Sequence, residues 1–157
     1  MAEVRFSLEG FAFIRLFIRP NAMLHMPGFN YKVDSGANRT TISRDILHSL
    51  GYDDTWIQSF KKLTGSERPT VATGVPIDNC YIISLPEIQL GGCVGFNWPF
   101  LVSLDDNIQY RLLFGADSMQ FFNWTFNYET GKCLYEIIPS KRRLLFNGIE
   151  QSIHDIT

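Results

Sequence analysis

Residues 31–43 read YKVDSGANRTTIS, and this stretch decides how the rest of the chain is read. One carboxylate, Asp34, stands between an apolar strand ending at Val33 and a tight turn of small residues, Ser35, Gly36 and Ala37. A strand end holds a side chain rigidly. Gly36 has no side chain, so its backbone can turn sharply and its N–H can point at the carboxylate. Ser35 supplies a hydroxyl that can brace the loop against a neighbour, and hydrogen bonds of this kind keep a carboxylate ionised and oriented. The same three residues also make an ordinary turn, so the surrounding chain has to discriminate.

Immediately downstream, residues 42–50 carry the clearest helix signal. Ser43 is placed to cap it, Ile42 and Leu47 have the spacing of a hydrophobic staple, and Gly51 stands where a C-terminal glycine belongs. Ile46, Leu47 and Leu50 form its apolar face. Upstream, residues 4–18 alternate as strand material with a bend at Gly10, and Pro20-Asn21 breaks the run before further strand over 23–33. Residues 62–69 are polar and turn-like, and 70–83 read as a hairpin with residues 74–79 at or near its turn. Strands follow over 85–90, 96–104 and 109–114, joined by Gly91-Gly92 and by Asp105-Asp106-Asn107. A short helix is expected from Asp117, then a hairpin of 124–128 with 133–138 around Glu129-Thr130-Gly131. There is no repeat and no low-complexity segment. The pattern is one β-rich domain over 1–157 with two short helices.

Composition narrows the function. With 45% hydrophobic and 19% charged residues, 157 residues suffice for a substantial core, and the chain reads as globular. A net charge of −2 with no basic stripe gives no support to nucleic-acid or acidic-membrane partners; the run Lys141-Arg142-Arg143 is short and reads as a solvated tail or edge. No apolar run has the length of a membrane span, and the first ten residues are too polar for a signal peptide. The three cysteines, Cys80, Cys93 and Cys133, are odd in number and lack C-x-x-C spacing, which predicts a reducing, cytoplasmic setting without a disulfide framework. His25, His48 and His154 are scattered, so neither a metal nor another cofactor is expected. The formal glycosylation sequons at Asn38 and Asn123 are read as chance.

With these elements in view, VDSGANRTTISRDILHSLGY resembles the active-site segment of the retropepsin-like aspartic proteases, which include the retroviral proteases and single-domain bacterial relatives. In that family a D-[ST]-G-A loop is followed by small or polar residues, an apolar residue, a helix and Leu-Gly. VATGVPIDNCYI, from Val71, resembles the flap hairpin, with Ala72-Thr73-Gly74 at the small-residue flap signature. Residues 111–135 resemble the late element, a hydrophobic pair then Gly, a short helix and a closing hairpin; Leu113-Phe114-Gly115 is the matching triplet. The resemblance covers about residues 11–138. Residues 38–41 are bulkier and more polar than is common in the family, and neither residues 1–10 nor the tail after Pro139 has a counterpart. Either end is a candidate for building a dimer sheet or for trimming from a longer chain. The resemblance implies an all-β acid-protease half-barrel with one lobe per chain, Asp34 as catalytic residue, Ser35, Gly36 and Ala37 supporting it, and Ala72, Thr73 and Gly74 closing over a peptide bound as an extended strand.

Peptide hydrolysis of this kind needs two carboxylates sharing one proton across a water, and a single Asp cannot serve as base and acid at once. Asp117 is the internal alternative, but with Gln120 three residues on it fits a capping box at a helix start. Asp53-Asp54 and Asp105-Asp106 are explained as solvated turns. A second copy can supply the partner, Asp34 meeting Asp34 on a two-fold axis, and the resemblance implies that Ser35 bonds across it. The expected function is a homodimeric aspartic endopeptidase. Alternatives are a non-cleaving dimerisation or peptide-binding module of the same fold, and a domain that takes its second Asp from a different chain.

Overall fold

The computed structural model describes residues 2–5 (backbone only), 12–22, 24–70, 74–105 and 112–156. In chain order the strands are β1 (Ala2–Arg5), β2 (Phe13–Ile18), β3 (Gly28–Val33), β4 (Lys61–Lys62), β5 (Cys80–Leu90), β6 (Cys93–Ser103), β7 (Leu113–Phe114), β8 (Phe122–Asn127), β9 (Lys132–Ile137), β10 (Arg143–Phe146) and β11 (Ile149–Asp155). Three short helices interrupt them: α1 (Arg44–Ser49), α2 (Asp54–Gln58) and α3 (Ala116–Met119). Among the described residues no helix is long and apolar enough to cross a membrane.

The main sheet runs β10-β11-β6-β5-β2-β3-β7, with β4 added to β5, and a smaller sheet runs β1-β9-β8. The main sheet curls until it meets itself. Leu113 N donates to Thr41 Oγ1 and Thr41 N to Leu113 O, both at 3.0 Å, so residues 40–42 flank β7. On their other side, Leu101 N donates to Thr40 O at 2.8 Å and Ile42 N to Leu101 O at 3.0 Å. Backbone bonding thus runs in a closed circuit from β6 through β5, β2, β3, β7 and Thr41 back to β6.

Alternation decides which side chains fill the circuit. β2 alternates exposed and buried from Phe13 to Ile18, sending Ile14, Leu16 and Ile18 inward. Tyr31 and Val33 of β3, Ile83 and Leu85 of β5, and Trp98, Phe100 and Val102 of β6 complete the core, joined by Leu47 from α1. A second apolar cluster of Leu63, Ile77, Cys80, Ile82 and Leu101, with Phe146 packed against it, takes residues of β5 and β6 that alternate with those of the main core. The three cysteines are buried, and none forms a disulfide among the described residues.

α1 forms as its caps dictate: Ser43 Oγ accepts from Ile46 N at 3.2 Å, Ile42 and Leu47 are fully buried, and Gly51 ends the turn at φ +88°. The strand and hairpin expectations around Gly91-Gly92 and residues 128–131 hold. Three readings change. Asp53-Asp54 is no solvated turn, since Asp53 Oδ1 caps a third helix, α2, by accepting from Trp56 N at 2.8 Å. Asp54 meets Arg44 and His48, whose hydrogen bonds hold its carboxyl below the ordinary value. Of the strand expected over 4–18, β1 and β2 are seen, while residues 6–11, Gly10 included, lie outside those described. Upstream of Asp34, ordered strand begins only at Gly28. The tail, left unassigned, is the β10–β11 hairpin; its Asn147-Gly148 turn has φ +50° and +76°, and β11 pairs with β6 from Phe96 to Cys93.

Candidate active site

Asp34 sits one residue past β3, where the strand hands over to its loop. Its backbone N–H donates to Phe114 O on β7 at 3.0 Å, and Ala37 N donates back to Asp34 O at 3.1 Å, so the turn is anchored on both sides of the carboxylate. Gly36 N donates to Asp34 Oδ1 at 2.9 Å, the contact expected of a residue free to turn its amide inward. A Cβ at Gly36 would stand 3.2 Å from that same oxygen, so a larger residue would require the carboxylate to give way by a small shift. Asp34 is half-buried, whereas Ser35 and Gly36 are exposed at the loop tip. Among the described residues the Ser35 hydroxyl has no hydrogen-bond partner and no second carboxylate is bonded to Asp34. The loop presents a single half-buried carboxylate beside an open tip.

Behind the tip, residues 37–41 form a strap held by the start of α3. The first amides of any helix lack intrahelical acceptors; here Ala116 N donates to Ala37 O at 2.8 Å and Asp117 N to Asn38 O at 3.3 Å. Gly115 makes this approach feasible, because a Cβ there would lie 2.6 Å from both the carbonyl carbon and oxygen of Arg39 and 2.8 Å from Ala37 O. At the far end Tyr31, fully buried on β3, donates its hydroxyl to Thr41 O at 2.7 Å.

A buried polar chain fixes Thr40, and its direction follows from its ends. Trp98 Nε1 can only donate, and does so to Ser118 Oγ at 2.8 Å. A carboxylate oxygen can only accept, and Asp117 Oδ1 takes the Thr40 hydroxyl at 2.8 Å. Ser118 therefore donates to Thr40 Oγ1, which also accepts from Gly115 N at 3.2 Å. Asp117 Oδ1 further accepts Thr40 N at 2.9 Å and Ser118 N at 2.8 Å. Four groups from β6, the strap and α3 thus lock one another, each satisfied only while the others stay in place.

This corrects the reading of Asp117 as a helix cap. The cap position of α3 is Gly115, with no side-chain cap bond, and Gln120 Nε2 reaches only Asp117 O at 2.8 Å. Asp117 clips the strap instead, a role joining residues 77 apart. Its Oδ2 is buried and has no hydrogen-bond partner among the described residues. Burial pushes the Asp117 carboxyl up from its ordinary 3.8, against the bonds from Thr40 and Ser118 and the Arg39 charge, which pull it down.

A raised folded-state value means the folded protein holds a proton that the unfolded chain has released. The group's stabilisation is complete below the unfolded value and is lost as pH rises through the folded one. Asp117→Asn keeps the Oδ1 acceptor but cannot titrate. Urea unfolding between about pH 4 and 7 is expected to show wild type losing stability relative to Asp117→Asn as pH rises. A difference between the two that stays constant across this range counts against a raised Asp117.

Of the residues expected in the flap, Ala72 and Thr73 lie outside those described. Gly74 is exposed at φ +84° with open space around it. Among the described residues the base of the 70–83 hairpin shows an antiparallel bridge of Thr70 with Pro76, supported by Ile77 N to Pro69 O at 2.8 Å and an ion pair of Arg68 with Asp78 at 2.6 Å. Regular pairing begins only at Cys80.

No family model matches the sequence. No curated protein matches it either. Among solved structures the fold is similar to that of a retropepsin-like aspartic protease from Rickettsia conorii, with a TM-score of 0.59 and 16% identity, over 85% of this chain and 87% of that one. At that identity the likeness carries architecture rather than chemistry. The chain is mostly β and has the curled half-barrel fold of the retropepsin-like proteases.

Proposed function

We propose that the chain is an aspartic endopeptidase, active as a homodimer in which each copy supplies Asp34. The observation that carries this reading is the Asp34 loop itself, a carboxylate bonded to the Gly36 amide and strapped from behind, beside an exposed Ser35 whose hydroxyl lacks a partner among the described residues. A two-fold contact at that tip supplies both missing halves, a second carboxylate for Asp34 and an acceptor for Ser35. The fold likeness agrees with it.

Two carboxylates so paired share one proton and hold a water between them. The ionised one takes a proton from the water as its oxygen attacks the peptide carbonyl carbon. The protonated one gives its proton to the carbonyl oxygen. Collapse of the resulting diol breaks the C–N bond, and a proton passes to the leaving amine. The peptide lies extended between the paired loops and the two 69–77 loops, adding its backbone as a strand. Gly74, unhindered at the loop tip, lets that segment close and exclude water. The odd number of cysteines without C-x-x-C spacing is the ground for proposing a reducing, cytoplasmic setting.

Dilution tests the reading. Peptide-cleaving activity per mole of chain is expected to fall as concentration drops through the dimer dissociation constant, in step with the dimer fraction by analytical ultracentrifugation. Activity strictly proportional to concentration down to fully monomeric protein would remove the shared site. A stable dimer that cleaves no peptide would favour a binding module instead.

A further inference from the structure

We propose, resting on the endopeptidase reading, that the C-terminal hairpin forms part of the substrate-recognition surface, where Arg39 held on Phe146 receives an acidic side chain of the peptide. Arg39 belongs to the strap, five residues beyond Asp34. Its backbone is immobilised where Gly115 crosses it, so the side chain departs from a fixed point. The guanidinium carbon lies 5.2 Å from the centroid of the Phe146 ring. Phe146 in turn packs on the cluster containing Ile77, the residue that closes the base of the 69–77 loop. Arg39 therefore links the strap behind the Asp34 loop, through Phe146, to the apolar cluster that holds Ile77.

Among the described residues, several other cations have carboxylate partners of their own. Arg68 pairs with Asp78, Lys61 with Glu67, Arg142 with Asp155 and Arg143 with Glu150. Arg39 has no carboxylate partner among the described residues. Asp117 feels its charge, but Asp117 Oδ1 is occupied by Thr40 and Ser118. A guanidinium resting on a ring face keeps its N–H donors in its own plane, the geometry that accepts a carboxylate through two parallel bonds. Half-buried and without an anion of its own, Arg39 suits Glu or Asp in a peptide better than Gln or Asn.

The hairpin is built to deliver Phe146 there. β11 is registered on β6, Asn97 Nδ2 donates to Glu150 O at 2.9 Å, and the Asn147-Gly148 turn fixes the ring one residue before the reversal. The tail thus has a task that its lack of any family counterpart left open.

The test uses peptide pairs differing only by Glu or Gln at each position around the cleaved bond, with kcat/KM compared within each pair. Wild type is expected to favour Glu at one position by about tenfold. Arg39→Gln should erase that ratio, Arg39→Glu should turn it toward Lys, and Phe146→Ala should reduce it several-fold. The same peptides are titrated against the Asp34→Asn protein by calorimetry, which reads the preference without catalysis. If nothing is cleaved, the endopeptidase reading fails, and the calorimetric ratio alone decides Arg39. Equal binding of Glu and Gln peptides, or a Glu preference that survives Arg39→Gln, overturns the assignment.

Discussion

Asp34→Asn is expected to lower kcat/KM for peptide cleavage by at least about three orders of magnitude, because it removes both the proton acceptor and the proton donor of a shared pair. The fold should tolerate the change. Asn retains an Oδ1 that can accept the Gly36 amide, and the loop's other anchors, Phe114 O and Ala37 N, are backbone groups. Stability is therefore expected to stay within about 1 kcal/mol of wild type. Mixing makes the result diagnostic for the dimer. When equal amounts of wild type and Asp34→Asn exchange subunits, only about one quarter of the dimers carry two Asp34 residues, whereas independently acting chains would leave about one half active. Residual activity near one half would place the whole reaction within one chain. Full activity of the Asp34→Asn protein alone would remove Asp34 from the chemistry.

How far the site could be read from sequence depended on whether its signals were local. The Asp34 loop and α1 lie next to one another, and each of their devices spans no more than six residues: the Gly36 amide, the Ser43 cap, the Ile42–Leu47 staple and Gly51. Short-range geometry of that kind leaves a mark in spacing. The clasp behind the loop leaves none, since Thr40, Trp98 and Ser118 come together only after β6 and β7 have closed the circuit. Asp117 was misassigned for the same reason, because Asp-Ser-Met-Gln fits a capping box as a string, while the real cap position is the glycine two residues earlier. Two misses were avoidable. Asp53 precedes a short amphipathic run and capped it, and Asn147-Gly148 between alternating segments is a strong hairpin signal. Nothing in the string, however, says that this hairpin docks on β6 and sets Phe146 against Arg39. That pairing is a property of the assembled sheet edge.

Gly115→Ala should be the most destructive single methyl addition at the site, and for a reason separate from backbone freedom. Gly115 has φ −87° and ψ −177°, a conformation alanine adopts readily. The cost comes from contact: the new Cβ would stand 2.6 Å from the Arg39 carbonyl carbon and oxygen and 2.8 Å from Ala37 O. These are backbone atoms of the strap and cannot rotate aside as a side chain would. Relief requires the strap to leave α3, which breaks Ala116 N to Ala37 O and Gly115 N to Thr40 Oγ1 and opens the clasp around Asp117. Overpacking against a rigid neighbour with loss of buried hydrogen bonds is expected to cost about 3 kcal/mol or more. Gly74→Ala provides the contrast. It stands at φ +84° with nothing within 4 Å, so its penalty is conformational and should be only about 1 kcal/mol. Urea unfolding of both variants separates the two causes. Cleavage assayed where Gly115→Ala is still folded should remain far below wild type, because the strap it displaces carries the Asp34 loop. A loss in Gly115→Ala no larger than in Gly74→Ala would mean that the strap does not lie against α3 as tightly as these distances require.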